Sequence, residues 1–188
     1  MLLRARMRSR VLAAALLVSP AVHANPITVG AGLGLTQSEV NANGDPDHAL
    51  ALFGRIGLSR TLAAQLDISK ISGADPNADT RSVTGLFVLD LARGGRAVPV
   101  LLAGVGLDRE TTGGTGEIDA HHLEAGIGLE YRSPDGFVLG ADVRIGDRTV
   151  DSNSTLVPLA CCTTLWSPPS VLSDGQYRSA RVTLGVRF

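Results

Sequence analysis

The chain has 188 residues, enough for one domain and short of what two usually need. With 44% hydrophobic residues and a formal net charge of −1 it lacks the composition of a disordered protein, and 17 basic against 18 acidic side chains exclude a nucleic-acid footprint over most of its length, because neutralising phosphates needs grouped Lys and Arg. Twenty-two glycines beside only 4% aromatics also set it apart from an ordinary helical or α/β core.

Residues 1–24 read MLLRARMRSR, VLAAALLV, SPAVHA: a basic head, eight apolar residues and small side chains at Val22 and Ala24. This is the three-part plan of a secretory signal peptide, with cleavage expected after Ala24 and a mature domain at 25–188. Eight apolar residues fall far short of the ~20 that span a bilayer as a helix, and the best later run, Ala97 to Leu107, is interrupted by Pro99 and soon becomes charged. Setting aside the segment's four arginines leaves 13 basic against 18 acidic side chains, a mature charge of −5.

From Ile27 onward hydrophobicity alternates with period two, the strand period. In the first run Ile27, Val29, Ala31, Leu33 and Leu35 oppose Thr28, Gly30, Gly32, Gly34 and Thr36. Equivalent runs at 49–58, 61–69, 81–92, 98–108, 122–131, 137–146 and 179–188 make eight predicted strands. The fourth is less clean, with Leu86 and Val88 on the face of Thr84 and Asp90. Connections alternate in length: long after the first, third, fifth and seventh strands (37–47, 72–80, 109–117 and 147–175), short around 59–61, 93–96 and 132–136. Long loops on one rim and short turns on the other, with an even strand number, predict an all-β, eight-stranded antiparallel up-and-down transmembrane β-barrel. Acids such as Asp47, Glu110, Glu117 and Asp147 are expected on the long-loop rim, and Arg60, Arg93, Arg96 and Arg132 on the other.

Alternation also fits a soluble exported ligand-binding barrel with its apolar face inward. The glycines favour the membrane. A solvated outer face has no reason to be built of Gly30, Gly32, Gly34, Gly104, Gly106, Gly126 and Gly128, whereas a narrow lumen uses small residues to make room for long charged ones. Arg55, Asp67, Glu124, Asp142, Arg144 and Arg181 are then expected to form one lumen layer of three positive and three negative charges. Tyr131, Phe137 and Phe188 are placed on the lipid face near the short-turn rim.

The segment PVLLAGVGLDRE (Pro99 to Glu110), the alternating first strand and the final RVTLGVRF resemble the OmpA-like outer membrane β-barrel family of Gram-negative bacteria. The resemblance spans the mature chain, through loose, largely architectural motifs. It implies an outer-membrane location, with Phe188 in the terminal strand as the assembly signal read by the barrel-assembly machinery. The larger members' peptidoglycan-binding domain has no counterpart here, so a wall-anchoring role is not expected.

Other chemistry finds little support. GAGLG (Gly30 to Gly34) has Leu35 where a dinucleotide fingerprint needs its third glycine, and TTGGTGEI lacks the Lys-Ser/Thr of a P-loop. Adjacent His121 and His122 point to opposite faces of a strand, so no shared metal is expected. A lipid A-modifying enzyme of this fold would need a hydroxyl, His and acid near one rim, and His121, Ser82 and Glu117 are the nearest candidates. Asn41, Asn43, Asp45 and Asp47 faintly resemble a calcium loop but lack the Glu an EF-hand requires. Cys161 and Cys162 are neighbours that cannot staple their loop to the barrel, and Leu165 and Trp166 make that loop unusually apolar. The expectation is a monomeric, cofactor-free, non-enzymatic envelope barrel that acts through its loops, with outer membrane lipid or lipopolysaccharide as its surroundings and no nucleic-acid partner. The alternatives are the lipid A-modifying enzyme and the soluble ligand-binding barrel.

Overall fold

The computed structural model describes residues 26–38, 46–72, 78–92, 94–112, 116–151, 172 and 174–188. The proposed signal peptide, Asn41, Asn43, Asp45, both cysteines, Leu165 and Trp166 lie outside them. Eight strands follow one another: β1 (Ile27–Ser38), β2 (Asp47–Gly57), β3 (Leu62–Ser72), β4 (Ala78–Asp90), β5 (Ala97–Thr112), β6 (Gly116–Arg132), β7 (Phe137–Val150) and β8 (Gly175–Arg187). Each pairs antiparallel with its neighbour in sequence, and β8 returns to β1 to close the barrel. That seam runs from Thr28 opposite Arg187 to Ser38 opposite Tyr177. Ile27 and Phe188 fasten its end by exchanging backbone hydrogen bonds of 3.3 and 2.8 Å.

The strands are longer toward the long loops than the alternation predicts. Residues 109–117 were expected as a loop, yet β5 continues to Thr112 and β6 starts at Gly116, and β7 reaches Val150. The apolar pattern stops where hydrocarbon would stop, but the hydrogen-bond ladder does not. Beyond that level the outward faces turn polar, with Arg109 opposite Asp119 and its Nε donating to Asp119 Oδ1 at 2.8 Å. At the other rim the turns are tight. Ser59 Oγ accepts from the N–H groups of Thr61 and Leu62 at 3.3 and 3.1 Å. Ser133 Oγ accepts from Asp135 N–H at 3.2 Å, and Gly136 closes that turn at φ +88°, a conformation other residues adopt only with strain.

The apolar faces point outward. Leu33, Leu52, Phe87, Val105, Leu123, Ile127, Ile145 and Leu184 are all exposed on the barrel wall, and Tyr131, Phe137 and Phe188 are exposed near the short turns. The lumen, by contrast, has two unlike sides. Leu86, Val88, Val98, Val100 and Leu102 of β4 and β5 form a buried apolar cluster with Ala63 packed against it, so the inner face is apolar where Leu86 and Val88 break the alternation of the fourth run. The charged side chains described below come from the other strands and from the ends of β4 and β5 beyond this cluster.

The lumen glycines sit where large neighbours need their space. A Cβ on Gly106 would meet the His122 ring, one on Gly146 the Tyr177 ring, and one on Gly126 the Arg144 stem and the Val143 carbonyl. At Gly30 it would collide with the Leu184 carbonyl, the Phe53 ring and the Gly185 backbone, which have no room to move. Gly54, on the outer face of β2, has nothing within 4 Å. Gly30→Val should therefore destabilise the folded barrel by about 1 to 3 kcal/mol in urea titrations in detergent, the cost of overpacking. Gly54→Ala should leave the midpoint unchanged or raise it slightly.

Candidate functional site

The polar side of the lumen is a network in three tiers, the lower and middle joined by hydrogen bonds and the upper joined to them through the Tyr177 ring. The middle tier holds five of the six residues singled out by sequence. Arg144 of β7 lies at its centre, its side chain 5% exposed. Its Nη1 donates to Glu124 Oε1 at 2.6 Å and to Asp67 Oδ2 at 3.2 Å, and its Nε to Asp142 Oδ1 at 2.6 Å. Arg181 of β8 reaches the same two aspartates, from Nη1 to Asp67 Oδ2 at 2.7 Å and from Nε to Asp142 Oδ2 at 3.4 Å. Guanidinium groups suit this place because their fixed fork serves several carboxylates at once.

Arg55 does not join that layer. Its Nη1 pairs with Glu130 Oε1 at 2.6 Å, nearer the short turns, and its Nε donates to Gln65 Oε1 at 2.7 Å. The middle tier thus holds two arginines against three carboxylates, not three against three. The imbalance is met by neutral donors. Gln65 Nε2 donates to Asp67 Oδ1 at 2.6 Å, and the Tyr177 hydroxyl to Glu124 Oε2 at 2.9 Å. Below, Arg132 is held by Asp90 in a two-pronged contact of 2.6 and 2.8 Å and by Glu130 at 2.7 Å, which ties the lower tier to the turn after β4.

The upper tier was cut short in the sequence reading. Asp108, His122 and Arg148 continue the inward parity of β5, β6 and β7, and all three are buried. Arg148 Nε donates to Asp108 Oδ2 at 2.8 Å, and His122 Nδ1 lies 3.1 Å from the same oxygen. With its proton on Nδ1, the ring presents Nε2 as acceptor to the Thr84 hydroxyl at 3.1 Å, beyond which lies Ser82 Oγ at 3.5 Å. Tyr177 links this tier to the middle one, its ring 4.8 Å from the Arg148 guanidinium carbon and edge-on to His122. Glu110, expected on the exposed rim, is fully buried instead, where its Oε2 accepts the Leu172 N–H at 2.9 Å. That contact brings Leu172, on the approach to β8, into the mouth of the barrel.

A cavity of about 70 Å³ lies between the upper and middle tiers, lined by Thr84, Asp108, His122, Glu124, Arg144 and Tyr177 among others. Asp108 Oδ1 and Arg144 Nη2, two buried atoms with no hydrogen-bond partner among the described residues, belong to residues lining it. The space is enough for a few water molecules, each needing roughly 10 to 15 Å³, which can satisfy one acceptor and one donor. A second cavity of about 50 Å³, lined by Arg55, Asp90, Glu130 and Arg132, lies at the short-turn end. His121, Ser82 and Glu117 are not brought together. His121 faces outward against Asp151 at 3.0 Å, Glu117 is exposed, and Ser82 is buried in the lumen.

The sequence matches no protein-family model and no curated protein. Solved structures do match. The crystal structure of Neisserial surface protein A superposes with a TM-score of 0.61 at 13% identity, over 88% of this chain and 98% of that one. The N-terminal β-barrel domain of OprF from Pseudomonas aeruginosa gives 0.56 at 11% identity, over 86% and 97%. Its fold is that of the bacterial outer-membrane barrels. A major outer membrane protein from Thermus thermophilus also matches at 0.56, with 14% identity over 88% of this chain and the whole of that one. At such identities the likeness shows the architecture alone.

Because the tiers are buried and interlocked, removing one member leaves the others uncompensated. Arg144→Ala and Glu124→Ala should each destabilise the refolded barrel by about 3 to 5 kcal/mol in urea titrations. Tyr177→Phe, which removes one hydrogen bond to a charged group, should cost about 1.5 to 3 kcal/mol. Thr111→Ala, on the exposed end of β5, should be neutral within error.

Proposed function

We propose that this protein is a non-enzymatic, monomeric outer-membrane barrel that acts at the cell surface through its long loops. In this reading it is related in kind to the OmpA-like barrels, exported by residues 1–24 and assembled by the barrel-assembly machinery through Phe188. The observation that carries the reading is the outward apolar wall on a closed sheet. A soluble ligand-binding barrel would turn that wall inward, but here it faces outward while arginines and carboxylates fill the lumen. The lumen network then has a structural task, holding the wall from within, and lipopolysaccharide is the lipid that would surround the long-loop half.

The Asp108–His122–Thr84 array favours a second reading, a lipid A-modifying enzyme. Its hydroxyls, however, face the lumen and not the bilayer, and the cavity beside them is too small for an acyl chain or a sugar. The structural reading is therefore preferred.

The protein should fractionate with the outer membrane and migrate at two positions on SDS gels, before and after boiling, because a closed sheet leaves no free edge for detergent to open. Recovery in the soluble fraction with one heat-independent band would overturn the reading. Lipid A from cells with and without the protein should give the same mass spectrum; a change abolished by His122→Ala would establish the enzyme instead. Planar bilayers should show no large, stable conductance steps, since the two cavities are separated by the Arg55–Gln65–Asp67 link and the apolar cluster.

A further inference from the structure

We propose that the mouth of the barrel at the short-turn rim is a binding site for a phosphate group, free or carried on a soluble molecule, held by Arg60 and Arg187 over a floor of Arg55 and Arg132. The outer-membrane reading above decides only that this mouth opens to the periplasm; the chemistry of the site needs no more than the closed barrel.

The cavity of about 50 Å³ at this end is lined by four arginines, Arg55, Arg60, Arg132 and Arg187, and by two carboxylates, Asp90 and Glu130. Both carboxylates are already occupied. Glu130 gives one oxygen to Arg55 at 2.6 Å and the other to Arg132 at 2.7 Å, and Asp90 takes Arg132 through two contacts of 2.6 and 2.8 Å. Arg60 and Arg187 have no acidic partner among the described residues. Four positive charges against two negative ones leave the cavity with an excess of two. The upper cavity differs, because its two unpartnered atoms are one acceptor and one donor, which water satisfies; here both unpaired groups are cations.

Neither of these arginines belongs to the lipid-facing wall. Along β8 Val182, Leu184 and Val186 point outward, and Arg187 falls on the alternate parity, shared with Arg181 and the buried Gly185. Across the seam it stands opposite Thr28, which is buried and lines the same cavity. Arg60 sits in the turn between β2 and β3, and both side chains are exposed where the cavity meets solvent. Beneath them the floor is held firmly: the Arg55 and Arg132 side chains are only 12 and 19% exposed, each fixed by its carboxylate. Ser59 adds a neutral donor. Its Oγ already accepts the N–H groups of Thr61 and Leu62, which leaves its own proton to donate into the cavity it lines.

Two uncompensated guanidinium groups around a small polar space select an anion with about two charges and several acceptor oxygens. At roughly 10 to 15 Å³ for each water-sized atom, the cavity has room for only a handful of oxygens. A phosphate group, with charge near −2 at neutral pH, supplies both the charge and the oxygens, whereas a carboxylate brings a single charge.

The test is isothermal titration calorimetry of the refolded full barrel in a neutral detergent, with inorganic phosphate as the probe and sodium chloride of equal ionic strength as the blank. Wild-type protein should bind phosphate saturably at one site per barrel, more weakly as salt is added. Glucose 1-phosphate should compete for the same site. Arg60→Gln/Arg187→Gln should weaken binding by at least roughly tenfold, the equivalent of about 1.4 kcal/mol, while keeping the heat-dependent gel shift. Arg178→Gln, which removes an exposed cation at the other rim, should bind as the wild type does. If the double variant failed to fold, Arg60→Gln alone, in its exposed turn, would decide: a severalfold loss supports the site and an unchanged affinity overturns it. No saturable binding by the wild type, an unchanged affinity in the double variant, or an equal loss in Arg178→Gln would also overturn the proposal. So would displacement of phosphate by phosphatidylglycerol in mixed micelles, which would assign the two arginines to lipid headgroups. A barrel that binds phosphate but is recovered outside the outer membrane would overturn the periplasmic placement alone; one that fractionates with the outer membrane and binds no phosphate would remove only the site.

Discussion

Hydrocarbon offers no partner to a backbone N–H or C=O, so a sheet that lies in it must have no edge. In the outer-membrane reading, the closure of this sheet answers that requirement. The β1–β8 seam, fastened at Ile27 and Phe188, removes the last free edge, and with eight strands it fixes an interior hardly wider than the side chains it must hold. The wall can then be apolar on its outer face alone, and the inner face must pack itself from both sides.

Two solutions share that narrow space. On the β4–β5 side, Leu86, Val88, Val98, Val100 and Leu102 pack as an ordinary small core. Opposite them, arginines are clamped by carboxylates, with Gln65 and Tyr177 supplying neutral donors where the charges do not balance. Glycine makes both possible: where Phe53 lies over β1 and β8, or His122 and Tyr177 cross the lumen, the facing wall position has no side chain. Buried ion pairs are a weak source of net stability because desolvation offsets their attraction, but an interrupted one is costly. The network accordingly acts more as a specification of one arrangement than as a reservoir of energy.

Much of this was legible from the alternation. Period two gives the faces, and glycine on one face tells the lumen from the lipid side, so the strand count, the closure and the inward residues Asp67, Glu124, Asp142, Arg144 and Arg181 could be read without coordinates. Pairing could not. Arg55 was assigned to the central layer by its distance along the strand, yet a side chain of that length selects between partners above and below, and Glu130 with Gln65 draws it downward. Asp108 and His122 stand on the inward face of their predicted runs but were left out of the charged layer, whereas Arg148 and Glu110 were missed because the apolar signal ends while the strands go on. Continuing the inward parity past that point would have found both. The apolar cluster was half visible, since Leu86 and Val88 spoil the alternation of the fourth run, and that irregularity marks where the inner wall is hydrophobic.

The lumen network joins strands far apart in sequence: Asp67 of β3 shares its Oδ2 between Arg144 of β7 and Arg181 of β8. None of these contacts can exist in a half-built sheet, where β3 has its neighbours but the last hairpin has not arrived. In the outer-membrane reading an open intermediate would leave Asp67 facing lipid or trapped water with both of its guanidinium partners still elsewhere, and only the arrival of β7 and β8 relieves it. The pairs between neighbouring strands, such as Arg144 with Glu124, can form earlier, so the Asp67 contacts are the ones that reward closure. In that reading, membrane entry and completion of the barrel would be coupled, and a chain that stalls midway would carry an unpaired Asp67 as the mark of its incompleteness.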